Sequence, residues 1–196
     1  MVSPANPVVA LVCSAGGIEA LKQVLGPLPV DYLGSVIVVQ HQSPDAPPSL
    51  LAEFLAEHTT LSVAIAVEGA ALVPGTVLVV PPGQHAIIGR DESVALIPAG
   101  AAPPSRPSAD LLLASLAVAT GPRCVAVVLS GGGRDAATGA TAVHHFGGTV
   151  IAADEASSAF SQMPRETIDR DDAIDFVVPV SDIADLLVKL STASLL

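Results

Sequence analysis

At 196 residues the chain is the size of one domain and long enough to bury a sizeable core. Its 51% apolar and 14% charged residues exclude a disordered chain. A net charge of −11 and 3% aromatics leave no basic, stacking surface for nucleic acid, nor an attraction for anionic membrane lipids.

Short continuous apolar runs alternate with amphipathic stretches throughout. Residues 7–12 read as a buried strand, followed by a glycine turn and a helix over 18–25. A second strand spans 35–40 and a second helix 47–57. Between 61 and 98 short β-rich pieces (61–66, 76–80, 85–88 and 94–97) are split by Gly and Pro, which predicts hairpins at a sheet edge. An Ala/Pro loop over 99–107 leads to a helix over 108–119, with Ser108 as its N-cap. A strand over 123–129, a glycine turn over 130–133 and a helix over 135–146 follow. A strand over 149–153, a short helix over 164–170, a strand over 175–179 and a closing helix over 181–190 complete the pattern.

Strands that are apolar throughout need cover on both faces. The expected fold is a single doubly wound α/β domain over 1–196, with its core at about 8–190. It has a mostly parallel, Rossmann-like three-layer sheet and an edge β-hairpin region. No apolar run approaches the ~20 residues of a membrane span, and the opening MVSPANP lacks a basic secretion-signal start. No membrane insertion and a cytoplasmic location are the expectation.

Cys13 and Cys124 lie in strand-like runs and read as buried, reduced thiols. Neither belongs to a CxxC, and the five His show no zinc spacing, so no metal is expected. No G-x-G-x-x-G opens the first helix and no G-x-x-x-x-G-K-[ST] occurs, so no nucleotide or other cofactor is expected. The G-x-S-x-G elbow is absent too, because Val12 stands where its first Gly belongs.

Ligands of a doubly wound sheet collect at the carboxyl ends of its strands. Three such ends carry reactive groups: Ser14, His41 and Asp135. Together they suit nucleophile, base and orienting carboxylate, with Ser14 Oγ and His41 within ~2.6–3.2 Å or somewhat more without substrate. Each also has a structural alternative. Ser14 suits a cap of the first helix, His41 a solvated turn, and Asp135 the charge at the start of the helix that follows it. Backbone N–H groups at Gly16 and Gly17, with one from the 131–133 turn, suit an oxyanion.

The motifs Ser14-Ala15-Gly16-Gly17, Val38-Val39-Gln40-His41, Arg106-Pro107-Ser108-Ala109-Asp110, Val128-Leu129-Ser130-Gly131 to Asp135, and Met163-Pro164-Arg165 occur in that order. In this the chain resembles the catalytic domain of CheB-type chemotaxis protein-glutamate methylesterases. The resemblance implies a Ser14–His41–Asp135 triad with loop residues Ala15, Gly16, Gly17 and Gly132. It also implies hydrolysis of glutamate methyl esters on the cytoplasmic helices of chemoreceptors, with deamidation of receptor glutamines as a companion activity. Arg106 and Arg165 are candidates to orient an anionic substrate segment, or to clamp backbone carbonyls instead.

The sequence departs from the family pattern Thr-Gly-Met-Gly-x-Asp-Gly. Gly132 replaces the Met, Ala136 replaces the last Gly, and Ala15 holds a position that is often Thr. The receiver domain that usually precedes this one is not expected, because Met1 lies a few residues before the first strand. Two other classes stay open: a free-standing serine esterase or amidase with another substrate, and a receptor-binding module without turnover.

Overall fold

The structure, a computed structural model, describes residues 6–100 and 106–193; the 99–107 loop lies partly outside them. The chain runs β1 (Val8–Cys13), α1 (Gly17–Leu25), β2 (Ser35–Gln40), α2 (Pro48–Ala56), β3 (Ser62–Ile65) and β4 (Thr76–Val79). A pair β5 (Gln84–Ile88) and β6 (Val94–Pro98) precedes α3 (Ala109–Thr120). Then come β7 (Cys124–Val128), α4 (Ala137–His145), β8 (Thr149–Ala153), α5 (Gln162–Ile168), β9 (Phe176–Val178) and α6 (Val180–Ala193). Seven strands form one sheet in the order β3-β4-β2-β1-β7-β8-β9, every pair parallel.

Every residue of β1, β2 and β7 is buried, as strands covered on both faces require. Side chains alternate along β1. Val9, Leu11 and Cys13 join α1, α2 and α6 in one core, whereas Val8, Ala10 and Val12 join α3, α4, the β5–β6 pair and Met163 in the other. Fully burying a side chain such as Leu11 contributes about 1.5–3 kcal/mol. The expected burial of Leu51, Leu112, Leu116 and the Val125 to Leu129 run is observed. Phe54 is only half-buried, because its ring stacks on His58 at the mouth of a groove rather than entering the core.

The 61–98 region contains the expected hairpin, but only in its second half. Only β5 and β6 form an antiparallel pair, and they stand as a separate two-stranded sheet against α3. β3 and β4 pair parallel at the edge of the main sheet. Both arrangements use short strands broken by Gly and Pro, so local pattern alone does not separate them.

The winding reverses at β1. The chain moves outward through β2, then returns through α3 to place β7 on the other side of β1. The carboxyl end of β1 is therefore the topological switch point, where the turns after β1, β2 and β7 diverge and leave a crevice. On that second face, the one lined by Val8, Ala10 and Val12, α3 and α4 pack closely. A Cβ on Gly139 would stand 2.5 Å from Leu113 Cβ, so this approach requires glycine.

Candidate active site

The ladders that pair β2 and β7 with β1 continue one residue past the strands. His41 N–H donates to Cys13 O at 3.0 Å, and Ser14 N–H donates to Ser130 O at 2.9 Å. Ser14, His41 and Ser130 thus sit level at the rim. Strands are spaced ~4.8 Å apart, so β2 and β7 lie about 10 Å apart with β1 between them. The bond from His41 Nε2 to Asp135 Oδ2, 2.9 Å, joins the segment that follows β2 to the one that follows β7.

Asp135 is held by four donors. Besides His41 it accepts the N–H of Ala109 (2.7 Å) and of Asp110 (3.0 Å) and the hydroxyl of Ser108 (3.1 Å). Asp135 is thus the charge at a helix start, but the helix is α3 rather than the α4 that follows it. The carboxyl end of β7 points its loop at α3, and the first N–H groups of a helix attract an anion. Burial pushes the Asp135 carboxyl up. The bonds from His41 and from the Asp110 and Ala109 N–H groups outweigh that, and hold it below the ordinary aspartate value. The ionised carboxylate can only accept, so His41 Nε2 is the donor of this bond and Nδ1 is the ring nitrogen it leaves free.

Ser14 caps nothing. The N-cap of α1 is Gly16, without a side-chain bond, and Ser14 Oγ has no hydrogen-bond partner among the described residues. Ser14 Oγ and the His41 ring form no hydrogen bond in this structure. The ring is anchored through Nε2 to Asp135, while Ser14 stands on the adjacent strand end. Gly131 lets the β7 turn close against the serine, since a Cβ there would meet Ser14 Cβ at 2.9 Å and Met163 Sδ at 2.7 Å.

The oxyanion donors need correction. Gly17 N–H is committed to Ser14 O, Gly131 N–H to Phe160 O and Gly133 N–H to Gln162 Oε1. Those of Ala15, Gly16 and Gly132 have no partner among the described residues. Gly132 is exposed, and a Cβ on it would meet only Gln162 Oε1 at 3.8 Å, so the glycine in place of the family's Met reflects no shortage of room.

Arg106 and Arg165 form no hydrogen bond to Ser14, His41 or Asp135. Arg106 donates to Gly100 O at 3.0 Å, while its carbonyl accepts Gln42 N–H at 3.1 Å, which ties the chain before α3 to the segment bearing His41. Arg165 is 68% exposed and stands 3.8 Å from Asp169 on its own helix. Beside His41 and Gln42, the side chains of Ile18, Leu50, Leu51 and Phe54 line an apolar groove of about 520 Å³. Among the described residues no cluster of three or more metal-ligating side chains occurs, and no helix is long and apolar enough to cross a membrane.

Two supports escaped the sequence reading. Gln40 Nε2 donates to Ser14 O (2.9 Å) and to His41 O (3.0 Å), while its Oε1 accepts from Cys13 Sγ. One buried amide therefore joins the backbone of Ser14 to that of His41. A glutamine closing an otherwise apolar strand was the available signal. Ser130 Oγ donates to Ala15 O and accepts Phe160 N–H, which fixes the turn holding the free Ala15 and Gly16 N–H groups.

Ala136, in place of the family's Gly, adopts φ 130°, where a side chain is strained. Such conformations cost on the order of 1–3 kcal/mol. Ala136→Gly is expected to raise stability by about 1 kcal/mol, read as a higher midpoint in urea with an unchanged slope.

The parallel sheet and its switch point, with Ser14, His41 and Asp135 on the segments that follow its central strands, define a doubly wound α/β protein. The family model of the CheB methylesterase matches residues 9–187, and the chain belongs to that family. The crystal structure of the Thermotoga maritima CheB methylesterase catalytic domain superposes with a TM-score of 0.87. It is 30% identical and covers 95% of this chain and 99% of that one. The protein-glutamate methylesterase FrzG of Myxococcus xanthus is 39% identical over 165 residues, 84% of this chain and 49% of that protein. A protein-glutamate methylesterase/protein-glutamine glutaminase of Moorella thermoacetica is 37% identical over 195 residues, 97% of this chain and 46% of that protein. The chain spans about half the length of these curated relatives.

Proposed function

We propose that the protein is a cytoplasmic serine hydrolase that removes methyl esters from glutamate side chains on the cytoplasmic helices of chemoreceptors. The observation that carries this is the His41–Asp135 bond between the segments that follow β2 and β7, the two strands that flank β1 and its Ser14. His41 Nδ1 takes the Ser14 proton as Oγ attacks the ester carbonyl, and the oxyanion is received by N–H groups of Ala15, Gly16 and Gly132. His41 returns the proton to the departing methoxide, giving methanol and an acyl-serine. Water then attacks the acyl carbon, its proton passing to Nδ1, and the glutamate carboxylate leaves as Ser14 is regenerated.

A glutamine side chain suits the same steps, with ammonia as the leaving group, and the Moorella relative is named for both activities. The apolar groove beside His41 accommodates the uncharged ester and its apolar neighbours. The test is methanol release from methylated receptor fragments, run beside a generic nitrophenyl ester. Turnover of the fragments supports the reading. Turnover of the generic ester alone assigns another substrate, and fragment binding without methanol release leaves a binding module.

A further inference from the structure

We propose that Asp110 is a positioning residue for this reaction, acting through Asp135; the proposal rests on the hydrolase reading above. Asp110 is the second residue of α3, and its side chain leaves its own helix to serve the next. Its Oδ1 accepts the N–H of Ala136 at 3.1 Å and of Gly139 at 2.7 Å. Helix α4 begins Ala136-Ala137-Thr138-Gly139, and its N-cap residue has no side chain able to accept these bonds. A helix start without an acceptor is a defect that the fold must repair. Asp110 makes the repair.

The exchange is reciprocal. Asp135, immediately before Ala136, takes the first two N–H groups of α3, while Asp110 takes two N–H groups at the start of α4. Two short contacts therefore determine where Asp135 stands. One is its own grip on α3, and the other is the Asp110 grip on the residue that follows it. Ala136 is also the strained residue, so its backbone holds φ 130° only while something constrains it. Without the Asp110 carboxylate the turn relaxes, Asp135 shifts, and the His41 ring loses the partner that sets its tautomer and direction. Gly139 shows that the site is built for this exchange: a Cβ there would stand 3.2 Å from Asp110 Cα.

The experiment compares the wild-type chain with Asp110→Ala, Asp110→Asn, Asp135→Asn and the Asp110→Ala/Asp135→Asn double variant. Asp110→Ala is expected to lower kcat for demethylation about 100-fold, the cost of displacing a reacting group by roughly 1 Å, with KM close to wild type. Asp110→Asn keeps an acceptor oxygen and is expected to recover most of that loss. In the Asp135→Asn background, Asp110→Ala is expected to cost little more, because the residue it positions is already disabled. Wild-type kcat in Asp110→Ala, or the same fold-loss in both backgrounds, overturns the proposal. If Asp110→Ala does not fold, Asp110→Glu makes the same comparison with a carboxylate one methylene too long. A second readout is the His41 Nε2–H proton resonance, expected far downfield in wild type and Asp110→Asn and displaced in Asp110→Ala. An undisplaced resonance in Asp110→Ala also overturns it. A wild-type chain that releases no methanol removes the hydrolase reading instead, and the resonance still decides the Asp110 contact.

Discussion

Ser14→Ala is expected to abolish methanol release, lowering kcat by on the order of 10⁶-fold, as loss of the nucleophile does in other serine triads. The variant should remain folded. Ser14 Oγ has no hydrogen-bond partner among the described residues, so its removal orphans nothing. The backbone bonds to Ser130, Gly17 and Gln40 are untouched. The expected change in stability lies within about 0.5 kcal/mol. His41→Ala is expected to match the loss, and the Ser14→Ala/His41→Ala double variant to add little, since the groups act as one unit. Methanol release that survives in Ser14→Ala at the wild-type rate rejects the mechanism.

Asp135→Asn is expected to cost about 10⁴-fold in kcat, the loss seen when an orienting aspartate is changed in another triad. The reason is visible in the contacts. Oδ2 accepts from both His41 and Ala109 N–H, and Oδ1 from both Asp110 N–H and the Ser108 hydroxyl. Whichever oxygen becomes an amide nitrogen then faces a donor that cannot reverse. If it is the Oδ2 position, His41 must accept on Nε2 and carry its proton on Nδ1, where it no longer receives the Ser14 proton. If it is Oδ1, the Asp110 N–H is left unpaired. An orphaned N–H of this kind costs about 1–3 kcal/mol, so this variant, unlike Ser14→Ala, should also melt earlier.

The pH dependence of stability carries the same signature. The folded-state value of Asp135 lies below the ordinary one, so its contribution is complete above the ordinary aspartate range. It is lost as pH falls through that depressed value. Asp110 has the opposite sign. Burial raises its carboxyl, the Gly139 N–H opposes that rise and the Asp135 charge adds to it, so acid relieves a cost there. Urea unfolding across the acid range should therefore show a steeper acid-side loss in wild type than in Asp135→Asn. Equal slopes would show that the carboxylate is not held as described.

The sequence by itself determined the elements and their layering. Runs such as 8–13 and 124–128, apolar at every position, have no exposed face and require a parallel sheet covered on both sides. That in turn puts the side chains following these strands at one rim, which is why Ser14, His41 and Asp135 were legible as a set and Arg106 and Arg165 only as solitary cations. Chain proximity alone could not decide the rest. Whether 62–65 and 76–79 pair as a hairpin or in parallel depends on where each edge finds an unpaired neighbour. Asp135 precedes α4 in the sequence but binds α3, and Asp110 lies in α3 but binds α4. Each carboxylate answers to the helix start that packing brings nearest, not to the one nearest along the chain. Which ring nitrogen of His41 is left free follows from its bond to Asp135, 94 residues away, and the placing of Ser14 from its bonds to Gln40 and Ser130, 26 and 116 residues away. Local pattern carries no information about such contacts, because only the assembled sheet decides which donors are already taken.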